Sequence, residues 1–431
     1  MLSFLESLAM TDCCFAARLS ARIDTLLDDV LREQRLVGAV VLVCHQGREL
    51  YCRAAGMLDR ETGVPMRGDA LFRLASVSKP VVSTAALALV GQGHLQLDDT
   101  VARWLPYFQP RQPGGTVAAI NVRHLLTHTA GLDYGFFQPP GGPYAQAGVS
   151  DGMDASPVSL ADNLRRLATL LLAYAPGERW AYSIATDVLG AVIEQAAGLP
   201  LAQAVRQLVT GPLGMADTDF MAIDPARLAV AYADRLPGEQ QPRRLHDAGD
   251  DHLPFLDGMA GFALSPARAL DANAYASGGA GMIGSAPDFM RLLETLRLGG
   301  APLLPPGLAS EMARSQTGDR DLPFWPGRGF GLGFTVLHDP LAAATPESIG
   351  SWRMGGTYGH SWFVDPAREL SVVALTNTAL EGMAGPFVAE LCRAVYGVEA
   401  QPGGARIPSS FLRWGCSACI ASSSAWLASC P

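Results

Sequence analysis

A chain of 431 residues, 49% hydrophobic and 17% charged, has enough apolar material for a large buried core and enough length for two lobes, which excludes a disordered or fibrous protein. A formal net charge of -9 without any basic cluster gives no electrostatic footprint for nucleic acid or anionic lipid. The longest apolar runs, Leu36 to Cys44 and Val81 to Val90, fall well short of the roughly 20 residues that span a bilayer, so no transmembrane helix is expected.

The N-terminal stretch MLSFLESLAMTDCC lacks a basic region and carries Glu6 among its apolar residues. It makes a poor secretory signal, and a cytoplasmic address is the expectation. Eight cysteines in so long a chain do not form a dense disulfide framework, and Cys13, Cys14, Cys44 and Cys52 read as reduced, buried thiols. Periodicity predicts an amphipathic helix near Ala17 to Glu33. Two β-branched runs follow, Gly38 to Cys44 and Arg48 to Ala54, joined at His45-Gln46-Gly47 as a hairpin.

Next comes Leu74-Ala75-Ser76-Val77-Ser78-Lys79-Pro80, leading into the apolar run Val81 to Val90 and the stop Gly91-Gln92-Gly93. The pattern reads as a loop feeding a buried helix that ends at glycine. Of 32 basic residues, Lys79 is the only lysine. Arginine serves everywhere else, so a surviving lysine is a candidate for chemistry that arginine cannot do, because a desolvated ammonium can give up its proton near neutrality and a guanidinium cannot. Residues three apart share a helix face, about 5 to 6 Å between Cβ atoms, which lets Ser76 and Lys79 share a hydrogen bond while Ser78 points elsewhere. Pro80 has no N–H to donate and places the pair at the helix N-terminus, where free amides and the helix dipole favour developing negative charge.

Further along, His124 and His128 lie four apart on a predicted helix, but no glutamate stands between them and no third ligand is in view, so they read as structural histidines and no metal is expected. Gly148-Val149-Ser150-Asp151-Gly152 matches the G-x-S-x-G nucleophile elbow. It follows the loop Pro139-Pro140-Gly141-Gly142-Pro143 rather than a strand, which argues against Ser150 as nucleophile. Asp187 to Gly198 reads as a helix with a glycine stop. Strand signals return at Gly331 to Leu337, Tyr358 to Val364 and Leu370 to Thr376, before a final helix near Ala384 to Tyr396. Both ends of the chain therefore build one sheet, and Pro80 to about Ala260 is mostly helical, with loops near Gln138 to Ser156 and Pro237 to Pro254. No glycine-rich phosphate cradle is present, so no cofactor is expected. From Gln401 to Pro431 the composition changes to clusters of Ser, Cys and Trp. A disordered tail is expected there, and its lone pair Cys416 and Cys419 is a weak metal or redox signal.

The segment Phe72 to Pro80 resembles the nucleophile motif of class C β-lactamases and of the family VIII carboxylesterases built on the same fold. Ala175-Pro176-Gly177-Glu178-Arg179-Trp180-Ala181-Tyr182-Ser183 resembles that family's second motif, in which a tyrosine at a turn faces the nucleophile. Leu125 to Leu132, Ser277 to Met282 and Tyr358 to Asp365 are similar to other family stretches, and the likeness covers roughly Thr25 to Val398. It implies a β-lactamase/transpeptidase-like fold of class α/β plus all-α, an antiparallel sheet flanked by helices with an inserted helical domain. Residues 1–79 and 261–398 would form the α/β domain and residues 80–260 the helical one, with 399–431 as a tail. The resemblance implies that Ser76 attacks an ester carbonyl, Lys79 and Tyr182 move the proton, and water hydrolyses the acyl-enzyme. It maps the oxyanion hole to the backbone N–H groups of Ser76 and Thr357 and places Tyr134 at the pocket wall.

One departure separates ester from lactam chemistry. β-Lactamases and DD-peptidases of this fold carry a Lys-Thr-Gly or similar triplet that receives the substrate carboxylate. Here the aligned residues are Met354-Gly355-Gly356, and Arg353 should project from the opposite face of its strand. An anionic substrate would lose a charge-assisted anchor worth roughly 1.5 to 3 kcal/mol, whereas a neutral ester loses nothing. His360-Ser361 is the alternative place for a polar anchor. The expectation is a serine esterase for small neutral esters of short to medium acyl chains, acetyl esters of cephalosporin-like compounds among them. The rival readings are a β-lactamase or DD-peptidase and a silent scaffold that keeps the fold.

Overall fold

The computed structural model describes residues 2–398 other than 236, 237, 319 and 321, with side chains from residue 15 onward. The expected tail, with Cys416 and Cys419, lies outside the described residues. Eight strands form the main sheet: β1 (Gly38–His45), β2 (Arg48–Asp59), β3 (Val64–Pro65), β4 (Arg328–Phe330), β5 (Thr335–Leu337), β6 (Trp352–Gly356), β7 (His360–Asp365) and β8 (Leu370–Thr376). Their spatial order is β4-β5-β6-β7-β8-β1-β2-β3, antiparallel throughout. The two chain ends meet in the β1–β8 ladder, where Ala39 pairs with Thr376 and His45 with Leu370. The β1–β2 hairpin closes through Gln46 and Gly47, both at positive φ (53° and 76°), the mirror-image turn that suits the right-handed twist of the strands.

Alternation along the strands sorts side chains into two cores. Ala39, Val41 and Val43 of β1 face Leu19, Ile23 and Leu27 of α1 (Leu2–Arg32) and join Phe387, Leu391 and Val395 of the C-terminal helix. Val40, Leu42 and Cys44 face the larger core, which contains α2 (Ser78–Gly91), α3 (Ala185–Ala197) and α4 (Ala286–Arg297). There Phe289 of α4 meets Trp362 of β7 edge-on at 5.5 Å. The C-terminal helix, α5 (Pro386–Tyr396), begins two residues later than the pattern suggests and stops at Gly397, whose φ of 68° is the left-handed stop glycine provides. Among the described residues no single helix is long and apolar enough to cross a membrane.

Four local expectations need correction. Gly331 to Leu337 is not one strand: Gly333 at φ 123° turns the chain, giving β4 and β5 on either side. β7 starts at His360 because Thr357 to Gly359 forms the turn out of β6. Cys44 is buried as expected, but Cys52 on β2 is exposed. The helix carrying His124 ends at Leu126, so His128 lies past its end at φ 53° and the two histidines do not share a helix face.

Phe387 is fully buried between α5, α1 and the sheet. Phe387→Ala is expected to cost about 3 to 5 kcal/mol of unfolding free energy, read from urea denaturation.

Candidate active site

Ser76 sits in a 3-10 turn, Ala75–Val77, that runs directly into α2. The turn is over-determined. Ala75 is held at φ 46°, a left-handed conformation that costs a non-glycine residue energy, and its neighbours are tied down on both sides. Leu74 donates its N–H to Met282 O at 2.8 Å, Ser78 Oγ accepts from Met282 N at 3.1 Å, and the His360 ring bonds Arg73 O at 2.8 Å. Gly356, at the end of β6, lies against the same turn so closely that a Cβ there would stand 2.4 Å from Leu74 O. Ser76 itself remains partly exposed while Leu74, Ala75 and Val77 are buried. The strained turn thus presents one hydroxyl outward.

Lys79 is fully buried, with Nζ 3.2 Å from Ser76 Oγ and 2.8 Å from Gly279 O. The predicted pair therefore does meet across one turn. Nζ also lies 4.5 Å from the Tyr182 ring centroid and 5.3 Å from that of Tyr134. Among the described residues no carboxylate forms an ion pair with it. Burial pushes its pKa down to about 7, partly opposed by the charges of Asp187 and Asp151. Burial thus favours the neutral amine, the form able to accept a proton.

Tyr182 is held by the loop opposite. Ala181 donates to His128 O at 3.0 Å, Ser183 N–H to His128 Nδ1 at 3.1 Å, and Ile184 N–H to Asp133 O at 3.1 Å. The His128 and Tyr182 rings pack at 4.8 Å, and burial followed by the nearby Lys79 charge drives the His128 pKa well down, leaving a neutral imidazole. Tyr182 Oη is buried without a hydrogen bond of normal geometry among the described residues. Burial moves this phenol strongly up, and the neighbouring Ser76 hydroxyl offsets part of that rise. Burial thus moves the two partners apart, the amine toward acceptor and the phenol toward donor.

The remaining sequence candidates fall in different places. Thr357 is buried in the β6–β7 turn, one residue after Gly356, which touches the nucleophile turn. Met354 and Gly355 lie on β6, opposite Trp362 and Ser361 of β7. Tyr134 is buried, and its hydroxyl and Lys79 Nζ both border Gly279, where a Cβ would lie 2.8 Å and 3.6 Å from them. Arg353 does project from the other face of β6 and pairs with Glu347 at 3.1 Å, beside the Arg328–Glu347 pair at 2.7 Å. His360 corrects the reading as a polar anchor for substrate. It is fully buried, edge-on to Phe72 at 5.7 Å, and its ring is committed to Arg73 O, with burial lowering its pKa to about 4. Ser150 belongs to a separate knot: its Oγ donates to Asp154 at 2.7 Å and its N–H to Asn163 at 2.8 Å, with no helix following. His124 caps its own short helix together with Asn121. Among the described residues no cluster of His, Cys, Asp or Glu could hold a metal ion.

Sequence reasoning missed Asp187, in the first turn of α3. It is fully buried, and neither carboxylate oxygen makes a hydrogen bond of normal geometry among the described residues. A Cβ on Gly279 would stand 2.9 Å from its Oδ2. Burial raises its pKa to about 6, opposed by Ser277 and then by the Lys79 charge. The available signal was an aspartate inside the otherwise apolar run Ala185 to Ile193, since an unpaired charge is costly to bury.

A serine turn that leads into a buried helix beside an antiparallel sheet, with a lysine one turn on and a tyrosine ring against that lysine, fits the β-lactamase/transpeptidase-like fold. The family model described as Beta-lactamase matches residues 23–393, and the chain belongs to that family. Esterase EstB of Burkholderia gladioli is 50% identical over 381 residues, covering 88% of this chain and 96% of the relative. A solved structure, EstCE1, described as a hydrolase with promiscuous acyltransferase activity, superposes with a TM-score of 0.85 at 46% identity, covering 89% of this chain and 99% of the other. Monacolin J acid methylbutanoyltransferase of Aspergillus terreus is 26% identical over 424 residues, covering 89% and 96% of the two chains.

Asp187 raises the pKa of Lys79, so Asp187→Asn removes charge that favours the ammonium and leaves the amine deprotonated at lower pH. In a profile of Ser76 labelling rate by a fluorophosphonate against pH, the acid limb should shift to lower pH. An unmoved limb would mark Asp187 as structural only.

Proposed function

We propose that this carboxylic ester hydrolase, of the family VIII type, cleaves small neutral esters of short to medium acyl chains through an acyl-enzyme on Ser76. The observation that carries the reading is the fully buried Lys79 amine, 3.2 Å from a partly exposed serine hydroxyl and without an ion pair among the described residues to hold it charged. Ser76 Oγ attacks the ester carbonyl as its proton passes to the neutral Lys79 amine. The oxyanion that forms is received by the N–H groups of Ser76 and Thr357. Tyr182, kept protonated by burial, donates to the departing alkoxide and is recharged from Lys79, so the bond from the carbonyl carbon to the alkoxy oxygen breaks as an alcohol leaves. Water then attacks the acyl-serine by the reverse proton path, and the proton returns to Ser76 Oγ. No cofactor takes part in this sequence.

Neutral substrates are favoured because the cation nearest the third-motif position is turned away. Arg353 is bound to Glu347 across the strand, and Met354-Gly355-Gly356 offers a substrate carboxylate only backbone. The EstB likeness supports ester rather than lactam cleavage, since that relative is itself named an esterase.

On a neutral nitrophenyl ester, Ser76→Ala should abolish turnover, whereas Ser150→Ala should stay near the wild-type rate. Loss in the second variant with survival of the first would move the nucleophile to Ser150. Against an anionic cephalosporin, lactam-ring opening should be slower than nitrophenyl ester cleavage by at least about tenfold, the equivalent of one lost charge-assisted hydrogen bond. Faster lactam cleavage reverses the order.

A further inference from the structure

Six aromatic rings close a circuit beside the Ser76–Lys79 pair. Tyr134 stacks on Phe136 at 4.4 Å between centroids, Phe136 meets Phe137 at 4.6 Å, and Phe137 stacks on Phe324 at 5.0 Å. Phe324 meets Trp325 at 6.4 Å, Trp325 stands edge-on to Tyr182 at 5.7 Å, and Tyr182 returns to Tyr134 at 5.4 Å. The rings come from three chain segments far apart in sequence, so the circuit is a tertiary feature. One side of it, Tyr134, Phe136 and Tyr182, is buried, with two of these rings around Lys79 Nζ. The other side, Phe137, Phe324 and Trp325, is partly exposed. Exposure therefore rises around the collar from the Lys79 side to the side of Phe137, Phe324 and Trp325.

The turns that carry the rings are pinned. The half-buried Asp151 carboxylate accepts the N–H groups of Gly135 and Phe136 at 2.8 and 3.0 Å, and Phe137 donates to Tyr134 O at 3.1 Å. Trp325 donates to Leu322 O at 2.8 Å and accepts from Arg328 N at 3.2 Å. Aromatic side chains on fixed turns give contact area at little ordering cost, and their faces and edges favour another ring over a saturated chain. None of the six side chains carries charge at neutral pH, so the collar suits a neutral, planar group.

We infer that the collar receives the alcohol half of the ester and selects an aryl or arylmethyl alcohol. The inference rests on the reading of Ser76 as nucleophile and Tyr182 as donor to the leaving oxygen. Tyr182 is the ring that belongs both to that proton path and to the collar, so the alkoxy group has to depart on the collar side, while the acyl group stays on Ser76.

The test compares substrate pairs that differ by one ring. Phe324→Leu and Trp325→Leu keep apolar bulk and remove the rings, and thermal melting checks that the double variant is folded; Phe324→Leu alone replaces it if melting drops. The kcat/KM ratio of benzyl acetate to ethyl acetate should fall about tenfold in the double variant, mainly through KM, as expected for losing two aromatic contacts. The ratio of methyl phenylacetate to methyl acetate, with the ring on the acyl side, should stay unchanged. An unchanged benzyl ratio, or an equal fall in the acyl-side ratio, overturns the assignment. Ester turnover that survives Ser76→Ala overturns the acyl-enzyme reading itself, a result independent of either ratio.

Discussion

The burial of one amine organises this site. Moving an ammonium ion out of water without a partner costs several kcal/mol even after relaxation, and Lys79 is fully buried, with the Gly279 carbonyl, the Ser76 hydroxyl and two phenol rings against its amine. The surroundings relieve that cost by favouring the neutral form, which is the form able to take a proton from Ser76. Asp187 and Asp151 pull in the other direction, and their own burial weakens that pull by raising their pKa values. Burial thus pushes Lys79 and Asp187 each toward the neutral form.

Holding a reactive serine against that amine requires backbone that does not relax. The positive φ of Ala75 persists because the residues around it are bonded to Met282 on one side and through His360 to the sheet on the other. Gly356 completes the arrangement by letting β6 approach the turn more closely than any side chain permits. The main sheet is thus more than a scaffold: its β6–β7 hairpin sets where the nucleophile turn lies and brings Thr357 beside it.

The guanidinium next to the Met354-Gly355-Gly356 triplet is bound on the other face of β6. Arg353 and Arg328 converge on the buried Glu347 and pair with it there.

The sequence alone determined the Ser76–Lys79 pair, the β1–β2 hairpin, the β8 strand and the α2 and α3 helices, because each is specified by spacing or periodicity within a few residues of itself. The single lysine marks the Ser76 turn and its helix within the sequence itself. Tertiary structure decided the rest. His360 read as a polar anchor for substrate yet bonds Arg73, 287 positions away. Cys52 read as buried and is not, and Asp187 carried no motif to announce that its carboxylate would lie near Lys79. The aromatic circuit joins rings up to 191 positions apart, from Tyr134 to Trp325. Local patterns fix what a backbone does with its own neighbours, but which buried polar groups share a space depends on how distant segments pack, and that information is spread over the whole chain.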